Sequence, residues 1–268
     1  MVKGLYTAYT GMVNEQRRMD VMTNNLANSA TTGYKKEAMI AQAFDERLAI
    51  KIKDTSAPGN QPEGIGYISL GTKIGETYTN WDQGAFQITD KDSDLAIAGK
   101  GFFAVSFTNK AGETSVKYTR DGAFTVDTEG YLRTSDGDYV LNSDGAMDSD
   151  PSEDYYVQID PSLPYAIAKD GTITQNGQEV DTIGLVDVED YDYINKYGEN
   201  LYDLIDGGTI IESEGYMEQG MLESSNVNVV DEMVSMIQIA RAYEAGQKMI
   251  QTEDSTLDKT VNNVGSVR

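Results

Sequence analysis

The feature that most constrains this chain is a seven-residue apolar repeat in its last segment, Val229 to Val264. Apolar side chains that recur every 3.5 positions form one narrow face of an α-helix, and that face needs a partner helix. No proline interrupts the segment, and either Asn226 or Asn228 can cap its start. We therefore predict a C-terminal helix about 50 Å long. Its first row is apolar throughout, and its second is polar in the middle: Met236, Tyr243, Ile250, Leu257 and Val264, then Met233, Ala240, Gln247, Asp254 and Val261.

Residues 2–26 show the same repeat, so a second helix is predicted there, ending at Ser29 to Gly33. Its rows are Leu5, Met12, Met19 and Leu26, then Val2, Tyr9, Gln16 and Thr23. We predict that the two terminal helices pair as a coiled coil. The predicted seam comprises Leu5, Met12, Met19, Leu26, Met236, Tyr243, Ile250 and Leu257. The alternative is two core helices covering a sheet, which would require a wider apolar stripe.

The middle of the chain has the pattern of an all-β domain. Asp-Gly and Glu-Gly dipeptides recur every seven or eight residues from Asp121 to Gly145, between short β-branched and aromatic runs. That pattern predicts a β-meander. We also expect Leu95 to Phe107 to form a strand pair with a tight bend. The predicted class is therefore α+β, with a helical domain at 1–33 plus 224–268, a linker at 34–70 and a central β domain at 71–223.

The predicted linker is mixed in character. Lys35 to Lys53 contains helix formers, with Ile40, Phe44, Leu48 and Ile52 on roughly one face. Thr55 to Pro62 holds two prolines and a glycine, which predicts a loop. The glycines from Gly64 to Gly75 alternate with apolar residues and predict short extended pieces.

The composition excludes several classes of function. With 21 Lys plus Arg against 44 Asp plus Glu, the formal net charge is −23, which argues against nucleic acid and anionic membrane as partners. Histidine and cysteine are both absent, which excludes Cys–His catalytic pairs, thiolate metal sites and disulfides. We expect no cleaved secretory signal at the N-terminus and no membrane-spanning run.

Candidate chemical sites are weak. Asp90, Asp92 and Asp94 alternate like the first ligands of a calcium loop, but Leu95 and Gly101 stand where that loop needs Gly and Glu. Asp144 to Asp154 is expected to be a solvated acidic loop. No pair among the acids is singled out for glycoside hydrolysis. We therefore predict no enzyme activity, no catalytic residue, no metal and no cofactor.

Three groups of motifs resemble one family, the bacterial flagellar axial proteins of the rod and hook. The first is an N-terminal signature: Asn24, Asn25, Leu26, Ala27, Asn28, Thr32 and Gly33, followed by Tyr34 and Lys35. The others are in the middle and at the end: Asp94 to Phe103, Tyr118 to Phe124, Gly220 to Val227, Glu232 to Ile237 and Arg241 to Ala245. Among rod proteins the distal-rod type is most similar, with the proximal-rod paralogue as the alternative. One departure is Gly246, where the family usually carries Asn.

The resemblance implies a mechanical function in the flagellar basal body. Members are exported unfolded by the flagellar type III export apparatus and assemble as a helical homo-oligomer that contacts neighbouring rod and hook proteins. The terminal helices line the channel, and the rod transmits torque from motor to hook. Two alternatives come from the composition alone: a secreted acidic binding module or adhesin, and a carboxylate hydrolase. Neither explains the matching repeats at the two ends.

Overall fold

The computed structural model describes residues 2–51, 63–198 and 200–264, and it confirms helices at both ends with strands between them. The helices are α1 (Val2–Ala27), α2 (Ser143–Asp148) and α3 (Val229–Lys259), and a π-helical turn over Thr260–Val264 follows α3. Asn228 is the cap of α3, because its side chain accepts a hydrogen bond from the backbone N–H of Val230. The loop predicted from Thr55 to Pro62, and Ile52 before it, lie outside the described residues.

Twenty strands are described. In the first part of the chain they are β1 (Glu37–Ala43), β2 (Arg47–Lys51), β3 (Glu63–Ile68), β4 (Thr72–Thr79), β5 (Phe86–Ile88), β6 (Leu95–Ala98), β7 (Phe102–Thr108) and β8 (Thr114–Thr119). The next are β9 (Thr125–Val126), β10 (Leu132–Arg133), β11 (Tyr139–Val140), β12 (Tyr165–Ile167), β13 (Thr172–Gln175) and β14 (Gln178–Thr182). The last are β15 (Leu185–Val188), β16 (Ile194–Tyr197), β17 (Leu201–Leu204), β18 (Ile210–Glu212), β19 (Tyr216–Gln219) and β20 (Met221–Glu223).

The chain folds into two compact units. The helical unit comprises Met1–Ala27, Glu37–Asn80 and Asn228–Arg268, and the β unit comprises Asn28–Lys36 and Trp81–Val227. These bounds differ from those expected from the sequence. The segment 34–70, expected as a linker, is divided, because its first residues belong to the β unit and the rest to the helical unit.

Within the helical unit, α1 and α3 pack side by side in opposite directions. Gly4 faces Glu253, and Met12 faces Gly246 eight residues further along α1. Strands β1 and β4 form an antiparallel pair that contacts α1, and β2 pairs with β3. The helical character expected from Lys35 onwards is wrong, since β1 and β2 occupy that stretch. The spacing of four residues that suggested a helix is also a multiple of the strand period of two.

The β unit is built on a nine-stranded antiparallel sheet. Its order is β16-β17-β8-β7-β11-β10-β9, and β15 also pairs with β7 and carries β18 at its edge. Both faces of β7 are covered. Phe103 and Val105 lie in one hydrophobic cluster, whereas Phe102 and Ala104 lie in the other. Smaller sheets add β12-β13-β14, β6 with β19, and β5 with β20.

The predicted meander is confirmed where strands β9, β10 and β11 follow one another. The Glu129-Gly130 and Asp136-Gly137 dipeptides lie in the turns of that meander. Strands β12, β13 and β14 form a second run of consecutive antiparallel strands, with Asp170-Gly171 and Asn176-Gly177 in its turns. Asp144-Gly145 instead lies in α2, which Asn142 caps, so part of the expected acidic loop is helical. The expected strand pair at Leu95 to Phe107 is also wrong. Strand β6 pairs with β19 and β7 with β8, because the bend between β6 and β7 carries the chain into another sheet.

Candidate functional site

The predicted seam lies on the less exposed side of both helices. All eight of its residues are half-buried: Leu5, Met12, Met19, Leu26, Met236, Tyr243, Ile250 and Leu257. The second row on α3 is shifted by one residue, since Met233, Gln247, Asp254 and Val261 are exposed. The less exposed second row is instead Glu232, Ile239, Gly246 and Glu253. In a heptad repeat the second apolar row lies three or four residues from the first. In this structure the spacing from Met236 is three residues, which places the buried Ile239 in the second row.

Gly246 is where α1 comes closest to α3 among the glycines of the pair. A Cβ atom at this position would lie 2.6 Å from Cγ of Met12. The departure from the family pattern therefore has a local cause, because the missing side chain leaves room for Met12. Gln16 and Gln247, expected to face the pairing surface, are both exposed.

A second apolar face of α3 is uncovered in the single chain. Four residues at helical spacing, which we call the outer strip, are 48–67% exposed: Val230, Met233, Val234 and Ile237. They lie on one side of the helix, away from the row that includes Met236 and Ile239. Monomeric proteins rarely leave a contiguous helix face of this kind in water, and such faces usually mark an interaction site.

The β2–β3 hairpin also exposes apolar side chains. Leu48 and Tyr67 are cross-strand partners, and they are 58% and 73% exposed. Ile50 and Ile65 are exposed beside them. An isolated two-stranded hairpin is marginally stable in water. The helical unit therefore carries two apolar surfaces, the outer strip and this hairpin.

The N-terminal signature divides between the two units. Asn25 is fully buried in the helical unit, where its side chain donates to the backbone O of Glu37 at 2.8 Å and accepts from the Glu37 N–H at 3.0 Å. Leu26 and Asn28 are half-buried, and Asn24 and Ala27 are exposed. In the β unit, the Thr32 hydroxyl donates to Asp121 at 2.6 Å.

Gly33 makes the closest backbone approach of the signature. Its φ is +67°, in the left-handed region that favours glycine, and a Cβ atom would lie 2.4 Å from the carbonyl carbon of Arg120. Its N–H donates to the backbone O of Glu223 at 2.8 Å. The glycine therefore brings the signature against two segments that are far away in the sequence.

Next to Gly33 lies a buried ionic cluster, which we call the clasp: Lys35, Arg120 and Glu223. Nζ of Lys35 is 2.6 Å from Oε1 of Glu223, and Nη1 of Arg120 is 3.2 Å from Oε2. All three side chains are at most 3% exposed. Nη2 of Arg120 donates to the backbone O of Gly99 at 3.0 Å, and the guanidinium lies 5.4 Å from the ring centroid of Phe102. The clasp therefore joins the signature to the β unit's core.

The charges of the clasp do not balance, because two cations share one carboxylate. Burial lowers the pKa of the Lys35 ammonium, although the negative charge and hydrogen bond of Glu223 oppose that shift. Each clasp residue lies in one of the motifs identified in the sequence, yet none of the three was predicted as a site residue. The available signal was a charged side chain among apolar and glycine residues, as in Tyr34-Lys35 and Tyr118 to Phe124.

The acidic clusters do not assemble into a metal centre. Asp94 is buried, whereas Asp90 and Asp92 are exposed. Within residues 2–51, 63–198 and 200–264, no group of three or more carboxylate side chains is arranged to hold a metal ion. In the same ranges, no helix is both long enough and apolar enough to cross a membrane.

Three family profiles match the chain in sequence order. The profile described as "Flagella basal body rod protein" matches residues 5–35, "Flagellar hook protein FlgE/F/G D1 domain" matches 96–178, and "Flagellar basal body rod FlgEFG protein C-terminal" matches 218–264. The first and last profiles cover most of α1 and α3. The matched regions include all three clasp residues, Lys35, Arg120 and Glu223.

Relatives are similar over the full length. The flagellar basal-body rod protein FlgF of Caulobacter vibrioides is 34% identical over 269 residues, covering 100% of both chains. The flagellar basal-body rod protein FlgG of Bacillus subtilis is 33% identical, covering 98% of this chain and 99% of its own. FlgG of Borreliella burgdorferi is 35% identical, covering 96% and 97%. Relatives of the FlgF and FlgG types therefore match this chain at nearly the same identity.

Proposed function

The chain belongs to the flagellar basal-body rod protein family, and from that premise we propose how it acts as a structural subunit of the rod. Copies assemble through their terminal helices into a helical tube that transmits torque from motor to hook. The protein is localised to the flagellar basal body. Head-to-tail contacts whose rotation does not close generate a filament, which is the geometry that a rod needs.

The observation that carries this proposal is the outer strip. The inward side of α3 is covered within the chain, but Val230, Met233, Val234 and Ile237 remain exposed. Fully burying a Val, Ile or Met side chain contributes about 1.5–3 kcal/mol. With a net charge of −23, separate copies repel each other, so an apolar contact of this kind has to drive assembly. We propose that a neighbouring subunit covers the outer strip.

The predicted seam has a different part in this proposal. Its residues hold α1 against α3 within one subunit. Those that remain partly exposed in the single chain, such as Leu26 and Leu257, also contact neighbouring subunits in this proposal. The free monomer is then expected to have frayed helix ends that become ordered on assembly.

The proposed partners follow from the family. They are further copies of this chain, neighbouring rod and hook proteins, and the export apparatus that delivers the subunit beyond the inner membrane. We propose no catalytic role and no cofactor, because a rod subunit needs only packing. The adhesin alternative has no support among the relatives, whose names describe rod proteins.

The experiment that tests the proposal uses one pair of variants. Ile237→Asp adds a charge to the outer strip, whereas Gln238→Asp adds the same charge at the next exposed position of α3. Each variant is expressed in cells that lack the native protein, and basal bodies are purified and imaged. We expect rods with Gln238→Asp and none with Ile237→Asp, although both variants fold as monomers. Normal rods with Ile237→Asp would overturn the role of the strip.

A further inference from the structure

Every backbone passage between the two units runs through one of three short stretches of the β unit. Residues 28–36 carry two of these passages, one at each end, and the stretches that begin at Trp81 and end at Val227 carry the other two. The stretches are far apart in sequence. In the β unit they come together at the clasp.

The Lys35 ammonium joins all three stretches. It donates to Oε1 of Glu223 at 2.6 Å and to the backbone O of Asp82 at 2.9 Å. Oε1 of Glu223 also accepts from the backbone N–H of Gly84 at 2.8 Å. The carboxylate therefore ties the stretch after Trp81 to the N-terminal signature.

Asn226 makes a second connection beside the clasp. Its Oδ1 accepts from the backbone N–H of Lys36 at 2.8 Å, and its Nδ2 donates to the backbone O of Asp82 at 3.0 Å. Each of the three stretches therefore contains a residue that is hydrogen-bonded to the other two stretches. Of these residues only Glu223 belongs to a strand, β20, which pairs with β5 as far as Phe86. The side chains of Lys35, Glu223 and Asn226 extend the connection beyond that ladder, to Asp82, Gly84 and Lys36.

A buried ionic cluster is a poor means of gaining stability, since desolvation offsets most of the attraction. Its better attested use is to fix one arrangement among several, because any other arrangement leaves buried charges unpaired. Here the clasp fixes the relative positions of the three stretches through which a force on the backbone reaches the β unit.

We propose that the clasp, together with Asn226, is a mechanical anchor that holds the three exit stretches of the β unit at one buried point. This inference rests on the proposed torque-bearing function. Loosening the anchor releases the exits while the nine-stranded sheet stays folded, so that force is no longer delivered to the sheet at a fixed place.

The first test is hydrogen exchange, measured by mass spectrometry on the full-length monomer with Glu223→Gln and Asn226→Ala. We expect roughly tenfold or faster exchange in peptides that cover residues 32–36 and 82–84 in both variants, and unchanged exchange in β7 for Asn226→Ala, which leaves the buried ion pairs in place. Lys117→Met is the matched control. It removes another buried lysine and its 2.7 Å ion pair with Asp203, but inside the sheet.

The outcomes are decisive in either direction. Unchanged exchange at 82–84 in both variants, or, for Asn226→Ala, acceleration at 82–84 only together with β7, would overturn the anchor. If Glu223→Gln fails to fold, Asn226→Ala decides, since it removes an uncharged side chain and leaves the ion pairs in place.

The second test is motility under load. Cells with Asn226→Ala are expected to build rods and to swim normally in dilute medium, but to lose motility in viscous medium sooner than cells with Lys117→Met. Unchanged swimming under load, despite loosened exits, would overturn the mechanical role. The assembly test with Ile237→Asp is independent of this result, so a failure of the proposed function can be told apart from a failure of the anchor.

Discussion

The ammonium of Lys35 lies 2.6 Å from the carboxylate of Glu223, a residue 188 positions later in the chain. Both side chains are 1% exposed. Arg120 shares the same carboxylate at 3.2 Å. This buried contact between residues far apart in the sequence makes the end of the N-terminal signature an integral part of the β unit. It leads to the first prediction.

Glu223→Gln should destabilise the β unit more than Lys35→Met does. The first change removes the carboxylate that two buried cations share, whereas the second leaves Glu223 paired with Arg120. Removing one partner of a buried ion pair typically costs about 3–5 kcal/mol. Urea unfolding followed by the fluorescence of Trp81, the single tryptophan, gives the free energies. The double variant should lose less than the sum of the two single losses, and additive losses would contradict the coupling.

Gly33→Ala should be much more damaging than Gly137→Ala. Both glycines have positive φ, +67° and +98°, so both substitutions strain the backbone. Only at Gly33 does the new methyl group overlap the backbone of Arg120, whereas nothing lies within 4 Å at Gly137. Overpacking adds about 1–3 kcal/mol to the cost at Gly33. Thermal unfolding of the two variants measures the difference, and equal losses would contradict the close approach.

The effect of Gly246→Ala on stability should change sign when Met12 is replaced by alanine. Alanine is favoured over glycine in a helix by about 1 kcal/mol. Beside Met12 the added methyl group is crowded, with overpacking worth about 1–3 kcal/mol, so the variant is destabilised. With Met12→Ala present the crowding is gone, and the same change should stabilise the helices. Thermal melting followed by far-ultraviolet circular dichroism tests both backgrounds. The same sign in both would exclude the proposed packing.

Alkaline pH should destabilise the protein partly through Tyr191. Burial, then its hydrogen bond to Asp187 at 2.7 Å, raises the pKa of the Tyr191 phenol above its usual value. From about pH 10 upwards the unfolded chain loses this proton while the folded chain keeps it, so stability falls as pH rises. Tyr191→Phe should flatten that fall relative to wild type. Tyr193→Phe, at an exposed position, is the control, and an equal effect of both would rule out Tyr191 as the cause.

The helices could be predicted from the sequence because a repeat over 26 or 31 residues leaves little ambiguity. The position of the second row on α3 could not be predicted, since Ile239 and Ala240 both satisfy the heptad rule. The contact between Met12 and Gly246 decides which of the two faces α1. The stretch from Glu37 to Lys51 was misread because a spacing of four fits either period.

Strand pairing was the least predictable part of the β unit. The turns at Gly130 and Gly137 are local and could be found, but the pairing of β6 with β19 joins Leu95 to Gln219 and has no local signal. The clasp was missed because its local signal, a charged side chain among apolar and glycine residues, does not say which charges meet. Lys35, Arg120 and Glu223 meet only in three dimensions, and a single sequence shows them as three unrelated charges.

The most direct measurement of the central claim is photo-cross-linking from the outer strip in assembled rods. A photo-reactive amino acid is placed at position 237, or at position 238 as the control, and purified basal bodies are irradiated. Because the outer strip is covered by a neighbouring subunit in our proposal, position 237 should give a strong adduct with a second rod protein, and position 238 a weaker one or none. Rods that assemble normally but give no adduct from position 237 would contradict the claim that this face joins the subunits.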